Sequence, residues 1–372
     1  MHECDVVVIG AGIAGATVAA HVAADRRVAL IEAEEQAGYH TTGRSAALWT
    51  GNYGPPDVRI LTRLSRGFFE TPPPGFTETP VLNKRAVLVL AGQNQREAFA
   101  AFREEAQGVE FIDAARASAV VPALRPGWVA EAALEEDAFD MDVAALHQGF
   151  LRQVRQRGGV IALRHRSAAI ERQGDRWSVE TNAGRFLAAV VVNASGAWGD
   201  EVAAQAGVAP LGLVPKRRTG VIIDPAPWTV AEWPMTCDVG STWYVRPEAR
   251  TRLMVSPADE TPDRPHDVQP DELDVALAID RMQQALDIEV RRVERSWAGL
   301  RTFAPDGSLA FGWAADAAGF FWCVGQGGYG IQTSPAAGRL VADLIAERDP
   351  GAAGEVLPQI DPRRFAKQSL GS

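Results

Sequence analysis

Three glycines, Gly10, Gly12 and Gly15, stand between a short apolar run and a helix-forming stretch, and an acid, Glu32, closes the next apolar run. Residues 5 to 9 read Asp-Val-Val-Val-Ile, with the length and β-branching of a buried strand, and residues 27 to 31 read as a second. Each glycine has a mechanical reason to be there. Gly10 permits a tight turn, Gly12 lets a pyrophosphate approach the backbone, and Gly15 lets helix and strand pack closely. Free N–H groups at the helix start then face the phosphates. Glu32 stands where an acid accepts from a ribose hydroxyl. Strand, glycines, helix, strand and acid together point to a dinucleotide site rather than an ordinary glycine-containing turn. They leave open whether the ligand is NAD or FAD.

Three more stretches of small residues follow apolar runs, where an open α/β sheet gathers ligand contacts. Gly38 to Ala47 is rich in glycine and hydroxyls, Asn193 to Trp198 ends the apolar run 186–192, and Gly325 to Ser334 ends the run 320–324. A last helix is expected from near Gln332 to about Glu347. Helices are also expected over 57–69, 93–106, 142–157 and 272–286, and strands over 84–91, 160–163, 168–171, 177–180, 213–223 and 242–256. Asp142 is placed to cap its helix, and His147 lies beside that helix's apolar stripe, where a packed or solvent-facing ring is expected. Pro72-Pro73-Pro74-Gly75 breaks the chain. Nucleotide-type segments sit at the start, middle and end, with β-rich segments between them. The economical arrangement is a discontinuous nucleotide domain (1–80, 142–211 and 297–372) with an inserted sheet domain (81–141 and 212–296).

The 372 residues carry a net charge of −10, which argues against a nucleic-acid partner or an anionic membrane surface. No run reaches the roughly 18 apolar residues that span a bilayer, and the first apolar run is the nucleotide strand, so no signal peptide is read. Cys4, Cys237 and Cys323 are too scattered for a disulfide framework or a metal site, and are expected as small buried residues in a cytoplasmic protein.

Val7-Val8-Ile9-Gly10-Ala11-Gly12, Thr42-Gly43-Arg44-Ser45, Asn193 to Trp198, Gly299-Leu300-Arg301 with Pro305-Asp306-Gly307, and Gly325 to Gly330 resemble the D-amino acid oxidase superfamily of flavoproteins. More narrowly, the chain resembles the bacterial FAD-dependent D-arginine dehydrogenases over essentially its whole length. The resemblance implies an α/β (α+β) fold: a discontinuous Rossmann-like FAD-binding domain with an inserted mixed β-sheet substrate domain. It implies non-covalent FAD held by Gly10, Gly12, Ile13, Ala14 and Gly15, then Glu32 and Ala33, then Thr42, Gly43, Arg44, Ser45 and Ala47. Ala194, Gly196 and Trp198 would follow, and Arg301 with Gly327, Gly328, Tyr329, Gly330, Ile331 and Gln332 would complete the cradle.

By the same resemblance Arg301 clamps the substrate carboxylate, a role that suits the planar fork of a guanidinium. Arg218 and Tyr244 match further carboxylate-side contacts, Tyr53 an active-site tyrosine, and Gly328 a carbonyl that receives the amine. The implied reaction is hydride transfer from the substrate Cα to flavin N5, with negative charge at the flavin N1/C2=O edge facing the start of the last helix. The imino product then hydrolyses to a 2-oxo acid and ammonia.

Two positions depart from the D-arginine enzymes, which carry a histidine where this chain has Leu48 and an acid where it has Val87. An unpaired buried cation would cost several kcal/mol, so a D-amino acid with a neutral or apolar side chain is expected, unless Glu78 or another acid enters the pocket. Lysine occurs only at 84, 216 and 367, and residues 252–255, which match the strand of the oxygen-activating lysine in sarcosine oxidases, contain none. Electrons are therefore expected to pass to a quinone-like or other acceptor. An amine oxidase acting on glycine, sarcosine or D-amino acids with oxygen is the alternative.

Overall fold

The computed structural model describes residues 1–366 and builds them around two large sheets. The first has six strands, in the order Val160–Ala162, Val28–Ile31, Val6–Ile9, Val190–Asn193, Phe320–Val324 and Ala310–Trp313. All its pairings are parallel except the last. Val28–Ile31, Val6–Ile9 and Phe320–Val324 are buried along their whole length, and Val190–Asn193 is buried except at Val190, as a parallel sheet covered on both faces requires. On one face lie the helices Ile13–Val22, Val143–Gln156 and Ser334–Ile345. On the other, Trp177, Val179 and Phe186 of a four-stranded sheet join the core. The chain is thus of mixed α/β class, as the sequence indicates.

The second sheet has eight strands: Val293–Phe303, Val214–Ile223, Arg252–Ser256, Tyr244–Glu248, Met235–Asp238, Val87–Ala91, Glu131–Glu135 and Glu110–Ile112. All pairings are antiparallel except Met235–Asp238 with Val87–Ala91. One face packs on the helix Glu272–Ala285, whose Ala278, Met282 and Ala285 are fully buried. Its N-terminus is capped by Asp271, which accepts from Leu273 N. Residues of the opposite face line a cavity. Leu48–Trp49, Phe139–Met141 and Leu82–Lys84 form a small three-stranded sheet.

Several elements differ from the sequence expectation. The apolar run 186–192 is two strands, Gly184–Ala188 in the four-stranded sheet and Val190–Asn193 in the six-stranded one. Uninterrupted apolar character does not mark the point where a chain changes sheets. The stretch 242–256 is a hairpin whose turn places Ala249 and Arg250 at φ 47° and 65°. Left-handed turns are usually made by Gly or Asn, so this one carries no sequence signal. The last helix starts at Ser334, with residues 329–333 in turns. The helix Ala114–Val120 and the strand Glu131–Glu135 have no counterpart in the sequence reading.

Candidate active site

A cavity of about 790 Å³ runs from the glycine turn of the six-stranded sheet to the open face of the eight-stranded one. At its first end the glycines behave as their positions require. Gly10 has φ 101°, and a Cβ there would lie 2.6 Å from the Ala194 carbonyl oxygen. A Cβ on Gly15 would lie 1.8 Å from the Gly10 oxygen, so Gly15 is the contact between helix and strand and does not itself line the cavity. Glu32 accepts from Ala11 N at 2.8 Å through Oε2 and from Glu34 N at 3.0 Å through Oε1. His147 is buried and its Nε2 lies 2.9 Å from the Ala11 oxygen. A carbonyl only accepts, so that nitrogen carries the proton, and burial holds the imidazole pKa below its ordinary value. The ring is a packed brace under the glycine turn.

The side turns are pinned to this end. Thr42 Oγ1 accepts from Ile13 N at 3.0 Å. Gly43 closes its turn on the Gly38 oxygen and stays outside the cavity. Arg44 donates to the Ala298 and Val268 oxygens, and its own carbonyl accepts from Trp297 Nε1 at 3.1 Å. Asn193 accepts from Ser195 Oγ and donates to the Gly199 oxygen, fixing the turn that presents Ala194, Gly196 and Trp198. Ala33, Ser45 and Ala47 line the same end.

At the other end Gly327 N donates to the Thr302 oxygen, fastening the last glycine turn to the strand that carries Arg301. Arg301 Nη1 donates to Tyr53 Oη at 3.1 Å, and a Cβ on Gly328 would lie 2.7 Å from that oxygen and 2.9 Å from Nη1. Burial works against the Arg301 charge, but Tyr53 and Tyr244 outweigh it and raise its pKa. Arg218 Nε donates to the Asp259 oxygen at 2.8 Å, and Nη2 donates to Glu260 at 3.1 Å. Burial pushes the Tyr244 phenol up, but the charges of Arg301 and Arg218 bring it below its ordinary value. Two guanidinium groups and two phenols thus share one wall, an arrangement suited to a carboxylate.

The rest of that chamber is largely apolar and sulfur-bearing: Leu48, Val87, Val89, Met235, Cys237 and Met254. Cys237 is therefore a cavity residue, its thiol pushed up to about 12 by burial. Glu78 is exposed and lies outside the cavity, whereas Glu135 lines it. The sequence does not single out Met235, Met254 or Glu135 and gives Cys237 only as a small buried residue, because alternation in a two-sided sheet does not say which face meets a ligand. Among the described residues no lysine lines the cavity, and Lys216 instead pairs with Glu260 at 2.8 Å. Lys367 lies outside the described residues.

A dinucleotide of the FAD type fits these residues. Gly12, Ala14, Gly330, Ile331 and Gln332 line the cavity, and among the described residues their N–H groups have no backbone partner. Thr302 Oγ1 and Gln332 Oε1 are buried polar atoms without a hydrogen bond. Unpaired buried groups of this kind call for a polar ligand.

Comparison with known proteins agrees. The chain resembles the glycine oxidase of Geobacillus kaustophilus (strain HTA426), with 30% identity over 172 residues. That stretch is 46% of this chain and 44% of that enzyme, so the match spans less than half of either. Over nearly whole lengths the fold matches the crystal structure of L-proline dehydrogenase from P. horikoshii, with TM-score 0.82, 20% identity and 99% of each chain covered. It also matches L-alpha-glycerophosphate oxidase from Mycoplasma pneumoniae with FAD bound, with TM-score 0.84, 16% identity, and 93% and 95% covered. These two likenesses speak for the fold alone. From residue 5 to residue 344 the sequence matches the family described as FAD dependent oxidoreductase, and the chain belongs to this DAO family.

Proposed function

We propose that the protein oxidises D-amino acids with neutral or apolar side chains to 2-oxo acids and ammonia, passing electrons to an acceptor other than oxygen. The observation that carries this reading is the Arg301–Tyr53 pair at 3.1 Å beside Gly328, on one wall with Tyr244 and Arg218 in a chamber whose other lining includes Leu48, Val87, Val89, Met235 and Met254. Arg301 receives the substrate carboxylate in its planar fork, and Arg218 adds a second positive charge. Tyr53 and the Gly328 carbonyl orient the amine. Leu48 and Val87 bound the side-chain pocket together with Met235 and Met254. Holding the substrate in one orientation is the main contribution of these groups.

FAD, when bound, supplies the acceptance of a hydride equivalent from the substrate Cα. Its holders would be the glycine turn (Gly10, Gly12, Ile13, Ala14), with Gly15 packing helix on strand, Glu32 and Ala33, Thr42, Arg44, Ser45 and Ala47, Ala194, Gly196 and Trp198, and residues 327–332. Attachment is non-covalent on this reading, since Cys323 is buried in the sheet and Cys237 belongs to the substrate-side wall. The lack of a cavity lysine among the described residues supports an acceptor other than oxygen. The likeness to a glycine oxidase favours a second reading, an oxygen-using amine oxidase.

A panel of D- and L-amino acids, glycine and sarcosine, assayed with a dye acceptor under nitrogen and then in air, tests the proposal. D-leucine or D-methionine should reduce the enzyme fastest, with slow reoxidation in air. Best turnover on D-arginine, on L-amino acids or on sarcosine would overturn it.

A further inference from the structure

The wall beside Val87 contains an acid for which the reading so far has no task. Glu135 ends its strand directly opposite Val87 in the cross-strand register and is 5% exposed. It forms no salt bridge among the described residues. A buried carboxylate without a cation must be satisfied by hydrogen bonds, and here all the donors come from one short loop. Thr50 Oγ1 donates to Oε2 at 2.7 Å and Gly51 N donates to Oε1 at 3.1 Å, while Asn52 N donates to Thr50 Oγ1 at 3.2 Å. The same loop is tied on its other side, where Asn52 and Gln107 exchange hydrogen bonds at 2.9 and 2.8 Å. The next residue is Tyr53, whose hydroxyl accepts from Arg301. Burial also raises the Glu135 pKa, as expected of a carboxyl that no cation balances.

We infer that Glu135 is a positioning residue: its carboxylate anchors residues 50–52 to the substrate sheet and so sets Tyr53 against Arg301, whatever side chain the substrate carries. This rests on the reading of Arg301 as the carboxylate clamp. It also explains why an acid beside Val87 need not attract a cationic substrate. Both oxygens are already committed to the loop, and replacing either bond would strand Thr50 Oγ1 or Gly51 N.

The test uses the full-length FAD-loaded protein with its four tyrosines replaced by 3-fluorotyrosine, the Tyr53 fluorine resonance being assigned through Tyr53→Phe. Glu135→Leu should move the Tyr53 resonance, Glu135→Gln should restore part of its position, and Thr50→Val covers the case where Glu135→Leu fails to fold. Pyruvate and 4-methyl-2-oxopentanoate, titrated against protein fluorescence, should each bind about tenfold more weakly to Glu135→Leu, and by the same factor. In a Tyr53→Phe background the Glu135→Leu effect should shrink to less than about twofold, because both residues act through one contact. In turnover, KM should rise more than kcat falls. An unmoved Tyr53 resonance, an additive double mutant, or a loss confined to D-lysine and D-arginine would overturn the inference. If the resonance moves but the parent protein binds neither 2-oxo acid, the carboxylate-clamp reading fails while the placement of Tyr53 by Glu135 stands.

Discussion

The two large sheets present their functional groups in different ways. In the six-stranded, mostly parallel sheet the groups proposed to meet FAD are backbone N–H donors at strand ends, consecutive in sequence and shaped by glycines that a Cβ would ruin. In the eight-stranded sheet they are side chains rising from one open face. Arg301, Arg218, Tyr244, Met235, Val87 and Glu135 come from six different strands and meet only through register. The first kind of site tolerates almost no change in its own residues but is indifferent to the substrate. The second can exchange side chains singly, and each exchange alters specificity rather than the fold.

Mutations should separate the two accordingly. The largest effect belongs to Gly15→Val: with a Cβ 1.8 Å from the Gly10 oxygen, helix and strand cannot close. The purified protein should be colourless or aggregated, as read from the flavin-to-protein absorbance ratio. Arg301→Met, on the other sheet, should keep the FAD while lowering kcat/KM for D-amino acids. Loss of a charge-assisted two-pronged contact costs on the order of a hundred- to a thousandfold. A colourless Arg301→Met protein would break the distinction between the sheets. Smaller again is the exchange of specificity: Leu48→His with Val87→Glu should raise the kcat/KM ratio of D-arginine to D-leucine about tenfold or more, by giving a cationic side chain its partner. An unchanged ratio would place the side-chain pocket elsewhere.

The same contrast decides what could be read from the sequence. Gly10 to Glu32 was legible because turn, dipole and acid act locally, within one βαβ unit. The cap at Asp142 was legible for the same reason, and Ala145 N does donate to it at 2.8 Å. The proposed substrate wall rests, on the sequence side, on family resemblance alone. No spacing announces that Val87 lies opposite Glu135, 48 residues on, or that Met235 lies beside Val87. Cys237 shows the limit: a lone cysteine reads as core, and only the register of its strand, Met235–Asp238, brings it to the cavity. For His147 the sequence leaves a packed or a solvent-facing ring open; the ring is buried, and its bond to Ala11 depends on how a distant helix crosses the glycine turn.

An effect on stability rather than on turnover concerns pH, where the two regions should respond with opposite sign. His21, on the helix after the glycine turn, is pushed by burial from its ordinary 6.5 to about 4, and Arg157 and Arg339 act in the same direction. Its Nε2 has no hydrogen bond. Between those two values the unfolded chain binds a proton that the folded chain refuses, so stability falls as the pH drops from 6.5 towards 4. At 1.36 kcal/mol per unit, and allowing for solvent at the ring's edge, the loss is on the order of 2 kcal/mol. Glu135 has its folded value raised above 4.5, so its contribution is fully present below 4.5 and is lost as the pH rises through the raised value. Thermal unfolding of His21→Leu from pH 7 to 4 should therefore show a flatter acid decline than the parent. Glu135→Gln should leave that decline in place and relieve the loss on the alkaline side. Identical pH slopes in all three proteins would mean that neither buried group titrates with the fold, and that the acid sensitivity comes from surface carboxylates shared by both halves.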